Sequence, residues 1–424
     1  MKRLALAVLL LGTVPTLPSA SSGKMGTVPH STSPLDPVWL QSFDAAWRII
    51  NSTYYDPKFN GVDWEAVRRE LRPRAEAAAS PDEVRTVIRD MIGRLRDSHF
   101  MLLPEGAGPS DKPLRDLSGD LGIDLRYLDD EPVVVRVEEG SAAAVSGVQP
   151  GWILRSVDGE PIRPAVARAA ETAGPRLGAL EAWRIITERV RGPIGSTAHL
   201  SLVDGNGSSR EIRIERRAET GQPVTLGTFP TLRVRTAQRS LRAASGAEVG
   251  YVRFNVWLTP VDGVVARAVD EHRDAQGMIV DLRGNPGGLA AMLMGIAGQF
   301  IADRVSLGEM RSRDGTLQFF ANPRAVSPDG RPVKPFAGRV AILIDRLTGS
   351  ASECFAGGMQ SIGRARIFGE ASMGQALPAL FDKLPSGDVL VHAYADFVTA
   401  KGTRIEGTGV VPDVRVEWSR ADLL

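Results

Sequence analysis

Apolar residues recur at helical spacing through the first quarter of the chain and at strand spacing through much of the rest. Val38, Trp39, Leu40, Phe43, Trp47, Ile49 and Ile50 share one stripe of an amphipathic helix. Residues 64–78 and 81–95 repeat that period, the latter with Ser80 as N-cap and Pro81 in its first turn. A helical region over 36–105 is therefore expected, ending in the strand-like run after Asp97-Ser98-His99. From 111 to 218 the pattern is that of a separate β-rich unit. It has strands at 121–125 and 132–137, an Asp158-Gly159 turn, a helix over 180–191, and a hairpin across Asp204-Gly205-Asn206-Gly207. Residues 224–234 read as a joining strand. Over 219–424, apolar strands, glycine turns and helices then alternate, which predicts an α/β unit with a largely parallel sheet.

Composition narrows the class. The 424 residues are 43% apolar, enough for several cores, and 51 Lys and Arg balance 50 Asp and Glu. No basic surface for nucleic acid is implied. Lys2 and Arg3, the apolar run 4–11 and the small residues 15–20 form a signal-peptide pattern over 1–20. A Ser- and Pro-rich lead-in over 21–35 follows. An exported protein with no membrane span after cleavage is expected; a retained N-terminal anchor is the alternative. The single Cys354 excludes an intrachain disulfide and sits among apolar neighbours as a small core residue.

Two stretches carry candidate chemistry. The strand at 340–344 runs into Thr348-Gly349-Ser350-Ala351-Ser352-Glu353, where a helix opens near Ser350. A serine on such a turn can present its hydroxyl, and the Ala351 amide, lacking an intrahelical partner, can face an oxyanion. Ser-x-x-Glu is equally a capping box, with Glu353 folding back on Ser350. The second stretch is Asp281-Leu282-Arg283-Gly284-Asn285-Pro286-Gly287-Gly288 at the end of another buried strand. Its spacing is neither a Walker motif nor GxGxxG, so an oxyanion suits its amides better than a nucleotide. With ligands expected beyond the carboxyl ends of parallel strands, the two stretches should meet. No histidine pair has metal spacing, and neither a metal nor another cofactor is expected.

These stretches, with Gly369–Gln375 and Ile405–Val414, resemble the C-terminal-processing (tail-specific) serine peptidases. The β-rich unit, above all residues 147–162, resembles the PDZ domain of that family, with Leu121, Gly122 and Ile123 as its peptide-binding loop. The resemblance implies a crotonase-like catalytic core, a protein or peptide substrate, Ser350 as nucleophile, and the Gly288 and Ala351 amides as the oxyanion hole. One position departs from the pattern. Where the family places a lysine base, this chain has Gln375, and an amide cannot take a proton from serine near neutral pH. Asp97-Ser98-His99-Phe100 resembles instead the histidine motif of the tricorn-protease core, and Glu406 falls where that branch has a glutamate. The resemblance thus implies His99 as base, with Ser98 and Glu406 orienting it. A catalytically inactive binding or scaffold protein, like the retinoid-binding relatives of similar fold, is the alternative.

Overall fold

The computed structural model describes residues 35–105, 118–225 and 231–424. The signal-peptide reading, and the lead-in up to residue 34, lie outside these residues. Helices α1 (Val38–Thr53), α2 (Trp64–Glu76) and α3 (Pro81–Gly93) form on the expected stripes. Asp63 and Ser80 cap α2 and α3 by accepting from Ala66 N–H and Glu83 N–H. Their apolar faces enclose Phe43, Trp47, Ile50, Leu71, Ile88 and Met91. This cluster continues into Leu384 and Leu390, so the helical region shares a core with the chain's far end. The short strand β1 (Met101–Leu103) makes the same junction by pairing with residues 389–391.

The second unit holds a sheet of β2 (Ile123–Leu128), β3 (Glu131–Val137), β4 (Ile153–Val157), β5 (Thr197–Val203) and β6 (Ser209–Glu215), with β2 on its edge. The helix expected over 180–191 is longer: α4 (Arg163–Val190) bends at Gly174, whose φ of 74° breaks the helical path just before Pro175. The joining strand expected over 224–234 is not one strand. Gln222–Val224 and Leu232–Val234 pair antiparallel, as the apolar residues at both ends have each other for partners.

The third unit is built on a six-stranded sheet. Its strands are β7 (Thr236–Arg242), β8 (Glu248–Phe254), β9 (Gly277–Asp281), β10 (Arg339–Ile344), β11 (Ala365–Gly369) and β12 (Val414–Arg415), in that spatial order. Every pairing is parallel except β7 with β8. Helices α5 (Pro260–Glu271) and α6 (Met292–Ala297) and the helix Ala351–Ser361, here α7, bury Val265, Leu293, Phe355 and Met359 with the sheet. Between α6 and β10, Val305–Ser312 and Gly315–Ala321 form a hairpin, which also pairs with Ala395–Thr399. Among the described residues no helix is long and apolar enough to cross a membrane.

A buried ion pair joins the helical region to the core. Arg85 of α3 holds Asp388 at 2.8 Å and 3.0 Å, and the Asp388 side chain is fully buried. Arg85→Leu leaves that carboxylate with backbone donors alone. It is expected to lower stability by about 3 kcal/mol, read as a shift of the urea unfolding midpoint.

Candidate active site

Ser350 stands where β10 gives way to α7, at φ 54° and ψ −118°. Left-handed backbone of this kind costs about 1–3 kcal/mol for a side-chain-bearing residue and persists only where surroundings enforce it. Here they do. The Ser350 N–H donates to Glu353 Oε2 (2.8 Å) and Gln375 O (2.9 Å). Glu353 is fully buried, and its two oxygens also accept from Ser372 Oγ (2.6 Å), Gly374 N (2.7 Å) and Gln375 N (3.0 Å). Burial pushes its carboxyl up to about 7, against the pull of these donors. The half of the expected capping box in which Glu353 folds back on Ser350 is therefore present, but it is one arm of a larger hub.

The glycine turn is stitched to the serine turn. Thr348 Oγ1 donates to Leu282 O, Gly284 N to Asp345 Oδ1, and Gly349 N to Asn285 O. Gly287 (φ 112°) and Gly288 (φ 139°) are required as glycines: a Cβ at Gly287 would lie 2.7 Å from Ser350 Cβ, and one at Gly288 2.4 Å from Trp257 O. Gly288, Ser350 and Ala351 line one narrow pocket with Leu293, Met310, Cys354 and Phe397. Among the described residues neither the Gly288 nor the Ala351 N–H has an acceptor. Cys354 is buried there, and burial pushes its thiol up.

Ser98, His99 and Glu406 come together from opposite ends of the chain. Glu406 Oε1 accepts from Ser98 N (3.2 Å); Oε2 accepts from Ser98 Oγ (2.9 Å) and Ala376 N (2.7 Å). Ser98 Oγ lies 2.5 Å from His99 Nδ1. The hydroxyl has one proton, and Glu406 takes it, so Nδ1–H must be the donor to Ser98 and Nε2 the bare acceptor. Burial raises the Glu406 carboxyl from its ordinary value. His99 itself has φ 62°, and Nε2 is buried without a hydrogen-bond partner. Burial lowers the imidazole from 6.5 to about 3.

The expected hydrogen bond between His99 Nε2 and Ser350 is not formed. What joins the two groups is a single peptide plane: the Gln375 carbonyl accepts from Ser350 N–H, while the Ala376 N–H of that plane donates to Glu406. Gln375 thus contributes through its backbone.

Sequence reading missed several supports. Tyr54 and Tyr55, the first two residues after α1, both donate to Asp97 Oδ2, at 2.5 Å and 2.8 Å, and fix the residue before Ser98. Arg404 reaches Tyr55 Oη at 2.8 Å. Ser372 was visible only as part of a motif. In the second unit Leu121, Gly122 and Ile123 lead into edge strand β2, and Gly122 (φ 77°) packs against Ser141, where a Cβ would be 2.2 Å away. From α4, Arg176 Nη1 reaches Gly374 O at 3.2 Å, so this unit touches the loop that Glu353 holds.

Known proteins match this chain over most of its length. Residues 248–416 match the model of Peptidase family S41, and residues 36–93 that of the tricorn protease C1 domain. A carboxyl-terminal-processing protease of Synechocystis is 27% identical over 88% of this chain and 79% of its own length. A putative tricorn protease homolog of Streptomyces coelicolor is 26% identical over 89% of this chain, which spans 30% of that relative. Among solved structures, the photosystem II D1 C-terminal processing protease is similar with a TM-score of 0.59 and 23% identity, over 89% of this chain and 93% of that one. Mature CPAF gives 0.60 and 15%, over 92% and 94%. The class follows from these matches: the chain is a serine-type peptidase. Its core is a Peptidase family S41 domain, with carboxyl-terminal-processing proteases among its relatives.

Two outcomes follow. In Glu353→Gln the amide nitrogen must face an N–H donor, so peptidase activity should fall roughly a hundredfold with a lower melting temperature, whereas a plain helix cap would cost only about 1 kcal/mol. For His99, the folded value lies below the unfolded one. Its contribution is therefore present above pH 6.5 and is lost progressively as pH falls toward about 3. Urea midpoints measured near neutrality and two units lower should differ by about 2 kcal/mol more in the wild type than in His99→Gln.

Proposed function

We propose that this chain is an exported serine endopeptidase that cuts polypeptides whose C-terminal tails dock on its second unit, a PDZ domain. Ser350 is the nucleophile and His99 the general base. Ser98 and Glu406 hold the imidazole with Nε2 bare, and the Gly288 and Ala351 amides receive the oxyanion. The observation that carries this reading is the Glu406–Ser98–His99 chain, which ends on a buried, unpartnered Nε2. An orphaned buried acceptor is costly, and a base awaiting a serine proton accounts for it.

The step runs as follows. Substrate excludes water, and the Ser350 hydroxyl comes within reach of His99 Nε2. The hydroxyl oxygen attacks the scissile carbonyl as its proton passes to Nε2, and the imidazolium then protonates the leaving amine. Water releases the acyl group by the same route. The Ser98 hydroxyl lets the Glu406 charge stabilise the imidazolium without contacting it. Edge strand β2, following Leu121-Gly122-Ile123, suits addition of an extended peptide. The narrow apolar pocket beside Ser350 favours a small apolar residue before the cut.

The alternative is an inactive scaffold, favoured by the missing Ser350–His99 hydrogen bond. A fluorophosphonate probe separates the two. Labelling that disappears in Ser350→Ala supports catalysis, whereas an unlabelled wild type would remove it. Ser350→Ala and His99→Ala should each lower cleavage of unstructured polypeptides by roughly 10²–10⁴-fold. Full activity in His99→Ala would sink the histidine assignment. Among peptides differing only before the cut, alanine should be turned over faster than phenylalanine or aspartate.

A further inference from the structure

A cavity of about 310 Å³ lies between the second unit and the peptidase core. One wall is the face of β2 and β3 carrying Asp124, Arg126 and Arg136; the other is the edge formed by β7 and β8. Trp418 and Leu423, from the chain's end, close it. Five arginines line it: Arg126, Arg136, Arg239, Arg253 and Arg283.

Carboxylates answer only some of that charge. Asp124 bonds Arg136 and lies 3.6 Å from Arg253. Asp281 holds Arg283 at 2.7 Å and Arg253 at 3.4 Å, and Asp345 holds Arg126 at 3.4 Å. Five guanidinium groups against three carboxylates leave two positive charges. Arg235, a neighbour behind this wall, is matched separately by Glu138 at 2.7 Å. Two donors show where the excess lies. Arg136 Nε is buried with no partner. Arg239 is exposed on β7, and among the described residues no carboxylate stands within 4.0 Å of it. Burial acts to raise Asp124, yet Arg136, Arg126, Arg235 and Arg253 together hold it well below the usual carboxylate range, a measure of how cationic the space is.

We propose that this cavity binds a small polyanion carrying phosphate or carboxylate groups, bridging arginines of the second unit to arginines of the core. The planar donor forks suit either group, and the volume falls at the small end of ligand pockets. An occupant there would bear on the catalytic turn. Arg253 Nη2 donates to Arg283 O at 3.0 Å, and Arg126 packs on Gly284, where a Cβ would meet its Nη2 at 2.2 Å. Both contacts lie on the segment leading into Gly287 and Gly288.

Binding can be read without any substrate, so the test does not depend on the peptidase mechanism. Titration calorimetry of the full chain with pyrophosphate and, separately, citrate, near physiological salt, should give saturable binding at one site for at least one of them. The tighter of the two tells whether phosphate or carboxylate is preferred. Arg239→Ala, on an exposed strand with no ion pair to lose, should stay folded by circular dichroism and weaken binding at least about tenfold, as should Arg136→Gln. No heat with either anion, or wild-type affinity in Arg239→Ala, would overturn the proposal. So would binding of a tetraglutamate peptide alone, which would make the cavity a peptide surface.

Discussion

One buried carboxylate holds the candidate site together. Glu353 receives donors from the serine turn and from the loop 372–375, and no solvent competes for them. Through that hub the strained Ser350 backbone is kept in place, and the loop that carries the Gln375–Ala376 peptide plane is fixed against it. That plane in turn donates to Glu406. Serine turn, Glu406 and connecting loop are thus one hydrogen-bonded body, and the cost of burying Glu353 is offset by the four hydrogen bonds it accepts.

The glycine turn beside Ser350 is fixed by different means. Two parallel strands, β9 and β10, end side by side, and their following turns exchange bonds through Thr348, Asp345 and Asn285. Glycine at 287 and 288 is a steric necessity, because the turn runs against Ser350 and Trp257. The helical region supplies the remaining piece. Its core runs into residues 384–390, while Tyr54 and Tyr55 clamp Asp97, so the Ser98–His99 segment is held from the far side of the molecule.

Much of this was legible in the chain. The helical stripes, the alternation of strand, glycine turn and helix, and the serine at a strand-to-helix junction are local patterns, and the structure has them within a few residues. The parallel sheet followed because such alternation leaves few topologies. Less legible were elements whose apolar residues find partners far away. The hairpin 305–321 pairs with 395–399, and the segment 222–234 folds on itself rather than running straight.

For the site, the sequence by itself determined the residue types. A lone serine turn, Gln375 where a lysine would be needed, and a Ser-His pair narrow the chemistry before any fold is known. Only the tertiary structure decided the partnerships. Ser98 and Glu406 are 308 positions apart and hydrogen-bonded, and that bond assigns the imidazole tautomer. Glu353 could be read locally as a cap, but its role as a hub depends on a loop some twenty residues away in sequence that the folded sheet brings to it. The reason is the range of the forces: caps and periodicities act within a few residues, whereas buried polar groups take whatever partners the packed chain delivers.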